Sequence, residues 1–293
     1  MSLTVSSLHV YPVKGCRGID LQSARFGSRC LEYDRHWIIV DAEGEKITQR
    51  EEPRLALIAT EIRDRTLTLS AEGQGRTHID INTVPERRKT VDVWGDDSPG
   101  LVERSEASEW LSSFLRQPVT LLRFDESQRR EVVPEWGGGA SGAHIAFNDC
   151  LPVLITNTRS LDALNDWRAE ERLAPCPMDR FRPNIVVTAS APWEEDDWPA
   201  LTTRDGVHLD VTRPCARCAV PNNDQRTGVP EEFGNLHILG KRRYFKNYLG
   251  RPGAFFGVQS LVSGCEGRTI CVGDSMTVTS PSPGLPSPPR FAP

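Results

Sequence analysis

Residues 55–70 read LALIATEIRDRTLTLS, two short apolar runs joined by a charged turn. In the second run, Leu67 and Leu69 alternate with threonines, which is the period-two pattern of a half-buried β-strand. Similar runs recur through the first hundred residues and are separated by turns such as Glu43-Gly44. Short strands without helices between them predict an antiparallel barrel or sandwich. The strands predicted in this part of the chain are 4–10, 21–26, 36–40, 55–62, 66–70, 90–93 and 119–124.

The length of the chain predicts two domains, because 293 residues are about twice the most common domain size. A hydrophobic content of 38% suits a globular protein with a sizeable core, and no apolar run is long enough to predict a membrane span. The N-terminus lacks the basic and apolar regions of a signal peptide, so we expect a cytoplasmic protein with free thiols. A net charge of −5 disfavours nucleic acid as a partner.

Apolar periodicity predicts two helices, over residues 105–116 with Ser105 as the N-cap and over residues 158–168. The polar, glycine-rich stretch 125–143 is interpreted as a linker or a gate over a site. The proline-rich segment 281–293 predicts a disordered tail. The strands predicted in the second half are 152–156, 184–188, 207–211, 255–262 and 269–278.

The strongest local motif is RPCARC, residues 213–218, directly after the predicted strand 207–211. Four interpretations of Cys215 and Cys218 remain open: a structural zinc site, a redox pair, a buried structural pair, and a thiolate that binds a soft metal. A zinc site needs four ligands, and a thioredoxin-type pair needs a following helix, which the sequence does not predict. The two flanking arginines favour a thiolate, since positive charge lowers the pKa of a thiol.

Three further motifs place a basic residue next to a predicted strand. They are YPVKG with Lys14, DRHW with Arg35, and RFRPN with Arg182. Arginine and lysine in such positions can bind phosphate or carboxylate, although each residue taken alone also fits a solvated surface charge.

Taken together, the motifs occur in an order that resembles the MOSC family, named after the C-terminal domain of molybdenum cofactor sulfurase. Within it, the chain is most similar to the mitochondrial amidoxime-reducing component and its bacterial relatives. The resemblance extends over most of the chain. The segments that carry it are YPVKGCRG, DRHWIIVDAEG, ITQREEPRLALI, RFRPNIVV, PCARC followed by TG, FGVQ and VGD.

This resemblance implies a mainly β protein with some helix and two domains. A MOSC N-terminal β-rich domain (residues 1–124) would be joined through 125–143 to a MOSC β-barrel (residues 144–280), with molybdenum cofactor between them. Cys218 would bind molybdenum, and Asp224 would lie near the open face of the metal as a catalytic residue. The remaining cofactor contacts implied by the resemblance are Lys14, Gly15, Arg35, Asn148, Asp149, Cys150, Arg182, Ala216 and Arg217.

The sequence departs from the mitochondrial members of the family at several of these positions. Gly15 stands in place of a serine, so a hydroxyl contact is lost. Cys150 and Leu151 stand in place of small hydroxyl residues, and Arg226 replaces an acidic residue, which is expected to alter substrate preference.

The activity that the resemblance implies is molybdenum-dependent reduction of small N-hydroxylated substrates such as amidoximes and hydroxylamines. Because the sequence has no flavin fingerprint and no four-cysteine iron–sulfur run, a separate electron-donor protein is implied, such as a reductase with an iron–sulfur or haem protein. The alternative is a sulfur carrier or cofactor-delivery protein with a persulfide on Cys218. A third possibility is a zinc-stabilised binding protein. The wider family is also described as binding pyridoxal phosphate.

Overall fold

Strands dominate the structure, a computed structural model that describes residues 2–140, 142–247 and 249–285. The predicted mainly β class with some helix is confirmed. The helices within these residues are α1 (Ser105–Leu115), α2 (Thr158–Glu170) and α3 (Asn235–Arg242), with 3₁₀ turns at Pro53–Leu57, Met178–Phe181, Glu194–Asp197 and Val220–Asn222. The strands are β1 (Ser2–Val10), β2 (Ile19–Leu21), β3 (Ser23–Arg25), β4 (Trp37–Val40), β5 (Ala59–Arg63), β6 (Thr66–Ala71), β7 (Gly75–Asp80), β8 (Arg88–Val93), β9 (Asp96–Val102), β10 (Thr120–Phe124), β11 (Arg130–Glu131), β12 (His144–Ile145), β13 (Val153–Asn157), β14 (Ile185–Thr188), β15 (Ala200–Thr203), β16 (His208–Ala216), β17 (Tyr244–Lys246), β18 (Pro252–Val262), β19 (Thr269–Cys271) and β20 (Ser275–Thr279).

Seven strands form a closed barrel in the order β13-β14-β1-β20-β15-β16-β18, and β18 pairs back with β13. β13 and β14 are parallel, and the connection between them contains α2, as a parallel pair requires. In β1, Leu3 and Val5 are buried in the barrel core and so are Leu8 and Val10. An irregularity in the pairing between Val5 and Ser7 inserts the extra residue that returns the second pair to the inside. The first strand of the chain therefore belongs to a barrel built mainly from its second half.

The N-terminal part contains a four-stranded sheet, β4-β10-β9-β8, and a three-stranded sheet, β5-β6-β7. α1 packs its buried residues Ala107, Leu111 and Leu115 into the core between them. The predicted helix was placed correctly to within one residue, but the N-cap is Arg104 rather than Ser105. The helix ends where Arg116 adopts a left-handed conformation.

Residues 125–143, predicted as a linker or gate, contain β11, which pairs with β12. Arg130 in β11 is buried and donates hydrogen bonds to the carbonyl oxygens of Val93, Ala146 and Asn148. The segment therefore anchors the turn 147–150 to the N-terminal sheet.

Two sequence predictions of local structure were wrong in ways that matter for the site. β16 continues to Ala216, so most of the RPCARC motif lies inside a strand and not in a loop after it. The predicted strand 55–62 begins as a 3₁₀ turn, because Glu52 caps it and Pro53 occupies its first position.

Of the predicted tail, residues 281–285 are described: Ser282 donates from its backbone and hydroxyl to Asp210. The other residues, 286–293, lie outside the described residues.

Across the described ranges, the structure contains no helix long and apolar enough to cross a membrane.

Candidate functional site

One cavity brings together most of the predicted site residues from distant parts of the chain. The predicted residues that line it are Lys14, Gly15, Arg35, Asn148, Asp149, Arg182, Arg217 and Cys218. Its wall also contains Cys215, the other cysteine of the motif, and residues to which the sequence analysis assigned no site role: Thr48, Gln49, Arg50, Leu151, Leu154, Phe181, Asn184, Val220 and Gln259.

Lys14 reaches the cavity from the turn that follows β1. The backbone N–H of Lys14 donates to the carbonyl oxygen of Trp37. Gly15 follows with a φ of +87°, a backbone conformation that residues with a side chain rarely adopt. A Cβ at Gly15 would also lie 2.8 Å from Cδ1 of Leu55, so a larger residue would need the Leu55 side chain to shift as well as a strained backbone. The Lys14 ammonium is buried and donates to the carbonyl oxygen of Phe147 at 2.7 Å and to the Asp149 carboxylate.

The pKa values of Lys14 and Asp149 are both lowered, but for different reasons. Burial lowers the pKa of Lys14, and the attraction of Asp149 offsets only part of this effect. For Asp149, burial acts in the opposite direction, but the Lys14 ammonium and the indole N–H of Trp94 hold the pKa of the carboxyl well below its usual range. Asp149 is therefore ionised at neutral pH, and its half-exposed side chain places a negative charge in a cavity that is otherwise lined by cations.

Arg35 and Arg182 lie against the same aromatic ring. Their guanidinium carbons are 4.4 and 4.3 Å from the ring centroid of Tyr11. Both arginines have positive φ (51° and 55°), an uncommon backbone conformation that is often found at functional sites. Arg35 is neutralised by Asp34, whose two carboxylate oxygens are each 2.6 Å from Nη1.

Arg182 is held differently from Arg35, because the partner of its guanidinium is a neutral backbone group. Its Nη1 donates to the carbonyl oxygen of Cys16 at 2.7 Å, and burial lowers its pKa to about 10. It still carries its full charge at neutral pH, so Arg182 contributes a largely unneutralised positive charge to the wall of the cavity.

The two motif cysteines have different surroundings. Cys215 is buried in β16, and its sulfur accepts a hydrogen bond from Nη1 of Arg217 at 3.0 Å. Cys218 follows the end of the strand and is partly exposed to the cavity. Arg217 donates in addition to the carbonyl oxygen of Phe181 at 2.8 Å, which links the motif to the 3₁₀ turn before Arg182.

These surroundings disagree with two of the four interpretations of the cysteine pair. Within residues 2–140, 142–247 and 249–285, no group of three or more His, Cys, Asp or Glu side chains is arranged to hold a metal ion, so a structural zinc site lacks ligands. A 3₁₀ turn, Val220–Asn222, follows Cys218 where a thioredoxin-type pair would have an α-helix. A structural thiol at Cys215 and a ligand thiol at Cys218 agree best with their burial.

A buried polar ladder that the sequence analysis missed connects the Lys14 turn to the loop after Cys218. The Gln49 amide donates to the carbonyl oxygen of Gly15 at 2.6 Å and exchanges two hydrogen bonds with the Gln225 amide, at 3.0 and 2.9 Å. Asn223 donates to the Gln49 carbonyl oxygen at 2.7 Å. The segment ITQRE belongs to the resemblance, but its sequence gives no sign that its glutamine pairs with a residue 176 positions away.

Arg50, the neighbour of Gln49, closes the other side of the cavity. Its guanidinium lines the cavity together with Cys218, and the interaction with Cys218 raises the pKa of Arg50 although burial opposes the shift. It also lies 4.8 Å from the ring centroid of Trp94, whose N–H donates to Asp149 at 2.8 Å. Arg50 therefore places a cation from the N-terminal part beside the sulfur of the C-terminal motif.

Three predicted site residues are not among those that line the cavity: Cys150, Ala216 and Asp224. Cys150 packs in an adjacent apolar cluster, and burial raises the pKa of its thiol to about 12. Ala216 is exposed at the end of β16. Asp224 accepts hydrogen bonds from Arg180 at 3.0 Å and from the backbone N–H groups of Arg226 and Thr227 at 2.9 Å each.

The cavity has the chemistry of a site for an anion with a soft metal. Its cations exceed the carboxylates of Asp34 and Asp149, and the thiol of Cys218 is the type of ligand that soft transition metals select. Two buried polar atoms in its wall, Nε of Arg217 and Oδ1 of Asn148, have no hydrogen-bond partner in the described part of the chain. A polar, anionic ligand that both donates and accepts hydrogen bonds would satisfy them.

Comparisons with known proteins give a consistent result. Family models described as "MOSC N-terminal beta barrel domain" and "MOSC domain" match residues 2–118 and 142–277. "Mitochondrial amidoxime reducing component 2" of Bos taurus is 31% identical over 250 residues, which cover 82% of this chain and 72% of that protein. "Mitochondrial amidoxime-reducing component 1" of Homo sapiens is 33% identical over 247 residues, with the same coverage. "Molybdenum cofactor sulfurase" of Danio rerio is 29% identical over 257 residues, which cover 78% of this chain and 29% of that protein.

Proposed function

Because the chain belongs to the MOSC family and is related to the amidoxime-reducing components, we propose that it is a molybdenum-cofactor-dependent reductase of N-hydroxylated compounds. The observation that carries the proposal is the convergence of Lys14, Arg35, Arg182 and Arg217 around the partly exposed thiol of Cys218. A pterin cofactor with a phosphate group and a metal needs this combination of cations and thiolate.

Each residue has a part in holding the cofactor. Cys218 would bind the metal through its sulfur, with the guanidinium of Arg50 beside it on the open side of the cavity. Lys14, Arg35 and Arg182 would bind the phosphate, and Arg217 with Asn148 would hydrogen-bond the polar parts of the pterin. When bound, the cofactor supplies the two-electron chemistry that cleaves the N–O bond; the protein supplies orientation and charge.

The reaction also requires electrons from outside the chain. As the sequence contains neither a flavin fingerprint nor an iron–sulfur cysteine run, we propose that a separate electron-donor protein reduces the site. A small N-hydroxylated substrate would reach the metal beside Arg50 and Trp94, at the edge of the cavity. The cytoplasmic location and the link to pyridoxal phosphate stay predictions.

For Asp224, we propose an indirect role in place of proton handling at the metal. Its carboxylate fixes the loop 223–230 through Arg180 and two backbone N–H groups, and although burial opposes the shift, these contacts lower its pKa. An acid held in this way is a poor proton donor at neutral pH.

Asp224→Asn is expected to keep more than about half of the wild-type kcat, since general acid–base catalysis by this group would be worth about 100-fold or more. The variant should lose about 1 kcal/mol of unfolding free energy, because the charge opposite Arg180 is removed from a partly exposed pair. Steady-state turnover and thermal unfolding measure the two effects. A 100-fold loss of kcat with unchanged stability would instead place Asp224 at the reacting atoms.

A sulfur carrier is the second candidate function, because the chain is also related to a molybdenum cofactor sulfurase. In this case Cys218 would carry a persulfide, and the neighbouring Arg50 would stabilise its negative charge. The two candidates differ in what the purified protein contains.

The composition of the full chain, purified from a host that makes molybdenum cofactor, distinguishes the reductase from the sulfur carrier. We expect about one molybdenum and one pterin per chain, by elemental analysis and by pterin fluorescence after denaturation. We also expect anaerobic conversion of benzamidoxime to benzamidine with reduced viologen as the electron source. A persulfide on Cys218 by mass spectrometry, without molybdenum, would support the carrier and contradict the reductase; zinc without pterin would contradict both.

A further inference from the structure

Arg213 is an unexplained buried charge beside the cavity. It is 8% exposed, and neither Nε nor Nη1 has a hydrogen-bond partner within the residues that the structure describes. Its guanidinium carbon lies 5.8 Å from the ring centroid of Trp136, a contact with an aromatic face and not with an anion. A buried charge without an ionic partner is strongly destabilising, so folded proteins rarely contain one unless a ligand completes the pair.

The strand register places Arg213 next to the cavity wall. Arg213 in β16 is opposite Gln259 in β18, and Gln259 is opposite Leu154 in β13. Directly opposed residues project from the same face of a sheet. Gln259 and Leu154 line the cavity, so Arg213, which is not itself among the lining residues, lies on the same face of the sheet as this part of the wall.

The groups around Arg213 do not neutralise it. The thiol of Cys150 is within electrostatic reach, but burial raises its pKa to about 12, so it is uncharged at neutral pH. The sulfur of Cys215 already accepts a hydrogen bond from Arg217. The ion pairs found within the described residues include Arg130 with Asp96 and Arg180 with Asp224, but none of them involves Arg213.

We propose that Arg213 binds a phosphate-type oxyanion of the ligand that fills this cavity, as a further cation beside Lys14, Arg35 and Arg182. A doubly charged oxyanion fits a cavity in which the cations outnumber the carboxylates, and a guanidinium matches phosphate oxygens through directed N–H groups. The identity of the ligand rests on the proposed function. Two sources share this chemistry: the phosphate of the pterin itself, and a second phosphate in a nucleotide-extended pterin.

The first test uses the full chain without cofactor, in low-salt buffer, with inorganic phosphate as the probe. We expect phosphate to raise the unfolding temperature of the wild type. In Arg213→Met, phosphate affinity should fall about tenfold or more. The anion-free variant should unfold about 2 °C or more higher than the wild type, because an unpaired buried charge has been replaced by an apolar side chain of similar length.

Arg123→Met is the matched control, since Arg123 is also buried but is paired with Glu103 at 2.6 Å and with two carbonyl oxygens. It should lower the unfolding temperature and leave the response to phosphate unchanged. Equal phosphate affinity in wild type and Arg213→Met would overturn the proposal, as would a fall in the anion-free unfolding temperature as large as that of Arg123→Met. Tighter binding of acetate than of phosphate would overturn the assignment to a phosphate-type ligand.

The second test identifies the source in the cofactor-loaded chain. If acid hydrolysis releases one nucleoside monophosphate per pterin, and Arg213→Met retains less of this cofactor than the wild type, the ligand of Arg213 is the second phosphate. Pterin without nucleotide, retained less well by the variant, would assign the phosphate of the pterin. If the loaded chain contains no molybdenum, the proposed function fails, while the inorganic phosphate experiment still decides the role of Arg213.

Discussion

Cys218→Ala is expected to abolish reduction of N-hydroxylated substrates and to leave the purified protein largely without molybdenum. The thiol of Cys218 is partly exposed to the cavity that gathers the predicted cofactor residues. Alanine offers no donor atom to a metal. Loss of residues that only orient metal ligands typically costs about 10- to 100-fold, so loss of the ligand itself should exceed about 100-fold in turnover.

Cys215→Ala is the control, because it removes the other sulfur of the same motif. Cys215 is buried in β16 and accepts a hydrogen bond from Arg217, which keeps its second contact to the carbonyl oxygen of Phe181 in the variant. We therefore expect most of the activity and the molybdenum to remain, with a modest loss of stability. Molybdenum per chain and turnover with benzamidoxime are the measurements, and an equal loss in both variants would contradict the assignment of Cys218 as the ligand.

The barrel shows which parts of this fold a sequence can predict. Alternation of apolar residues such as Leu67 and Leu69 reflects the two faces of a strand, so the mainly β class follows from local pattern alone. The closure of the barrel by β1 is different, because the pairing of Leu8 with Ile185 depends on which distant strand edges meet. Local periodicity carries no information on that choice.

The residues of the site also divide into those that the sequence predicts and those that only tertiary packing reveals. Lys14, Arg35, Arg182 and Cys218 were identified because each lies in a segment that resembles the MOSC family, and the cavity brings all four together. Gln49 pairs with Gln225 across the fold, and neither amide belongs to a charged or metal-binding pattern that would single it out. Side-chain pairs of this kind arise only from tertiary packing.

For Asp224, the resemblance and the structure suggest different roles. The resemblance implies that Asp224 lies near the open face of the metal, but the chain turns through Val220–Asn222 between Cys218 and Asp224. The turn directs the carboxylate to Arg180, and Asp224 is not among the residues that line the cavity. A motif position carried over from a family gives the place of a residue along a loop and not the direction of its side chain, so the proximity of Asp224 to the metal stays a prediction that Asp224→Asn tests.

Lys14→Met is expected to lower retention of the cofactor by about 10- to 100-fold, because a buried charge-assisted contact is worth about 1.5–3 kcal/mol. The Lys14 ammonium lies within hydrogen-bond distance of Phe147 and Asp149, so methionine removes the charge while it fills similar space. The chain should still fold, because Asp149, which loses its ionic partner, is half exposed and keeps the hydrogen bond from the indole N–H of Trp94. Loss of pterin and molybdenum during dialysis against cofactor-free buffer measures the effect.

Lys14→Arg keeps the positive charge and changes the side chain, so it separates the effect of charge from the effect of packing. It also changes how cofactor binding depends on pH. In the cofactor-free chain, burial lowers the pKa of Lys14, and Asp149 offsets this only in part. Above that lowered pKa an anion must bind together with a proton, so affinity of the wild type should fall as pH rises, beginning below the usual range of a lysine. Arginine keeps its proton throughout this range, so Lys14→Arg should retain the cofactor with little dependence on pH. Equal alkaline loss in both proteins would show that another group, and not Lys14, governs the binding of the phosphate.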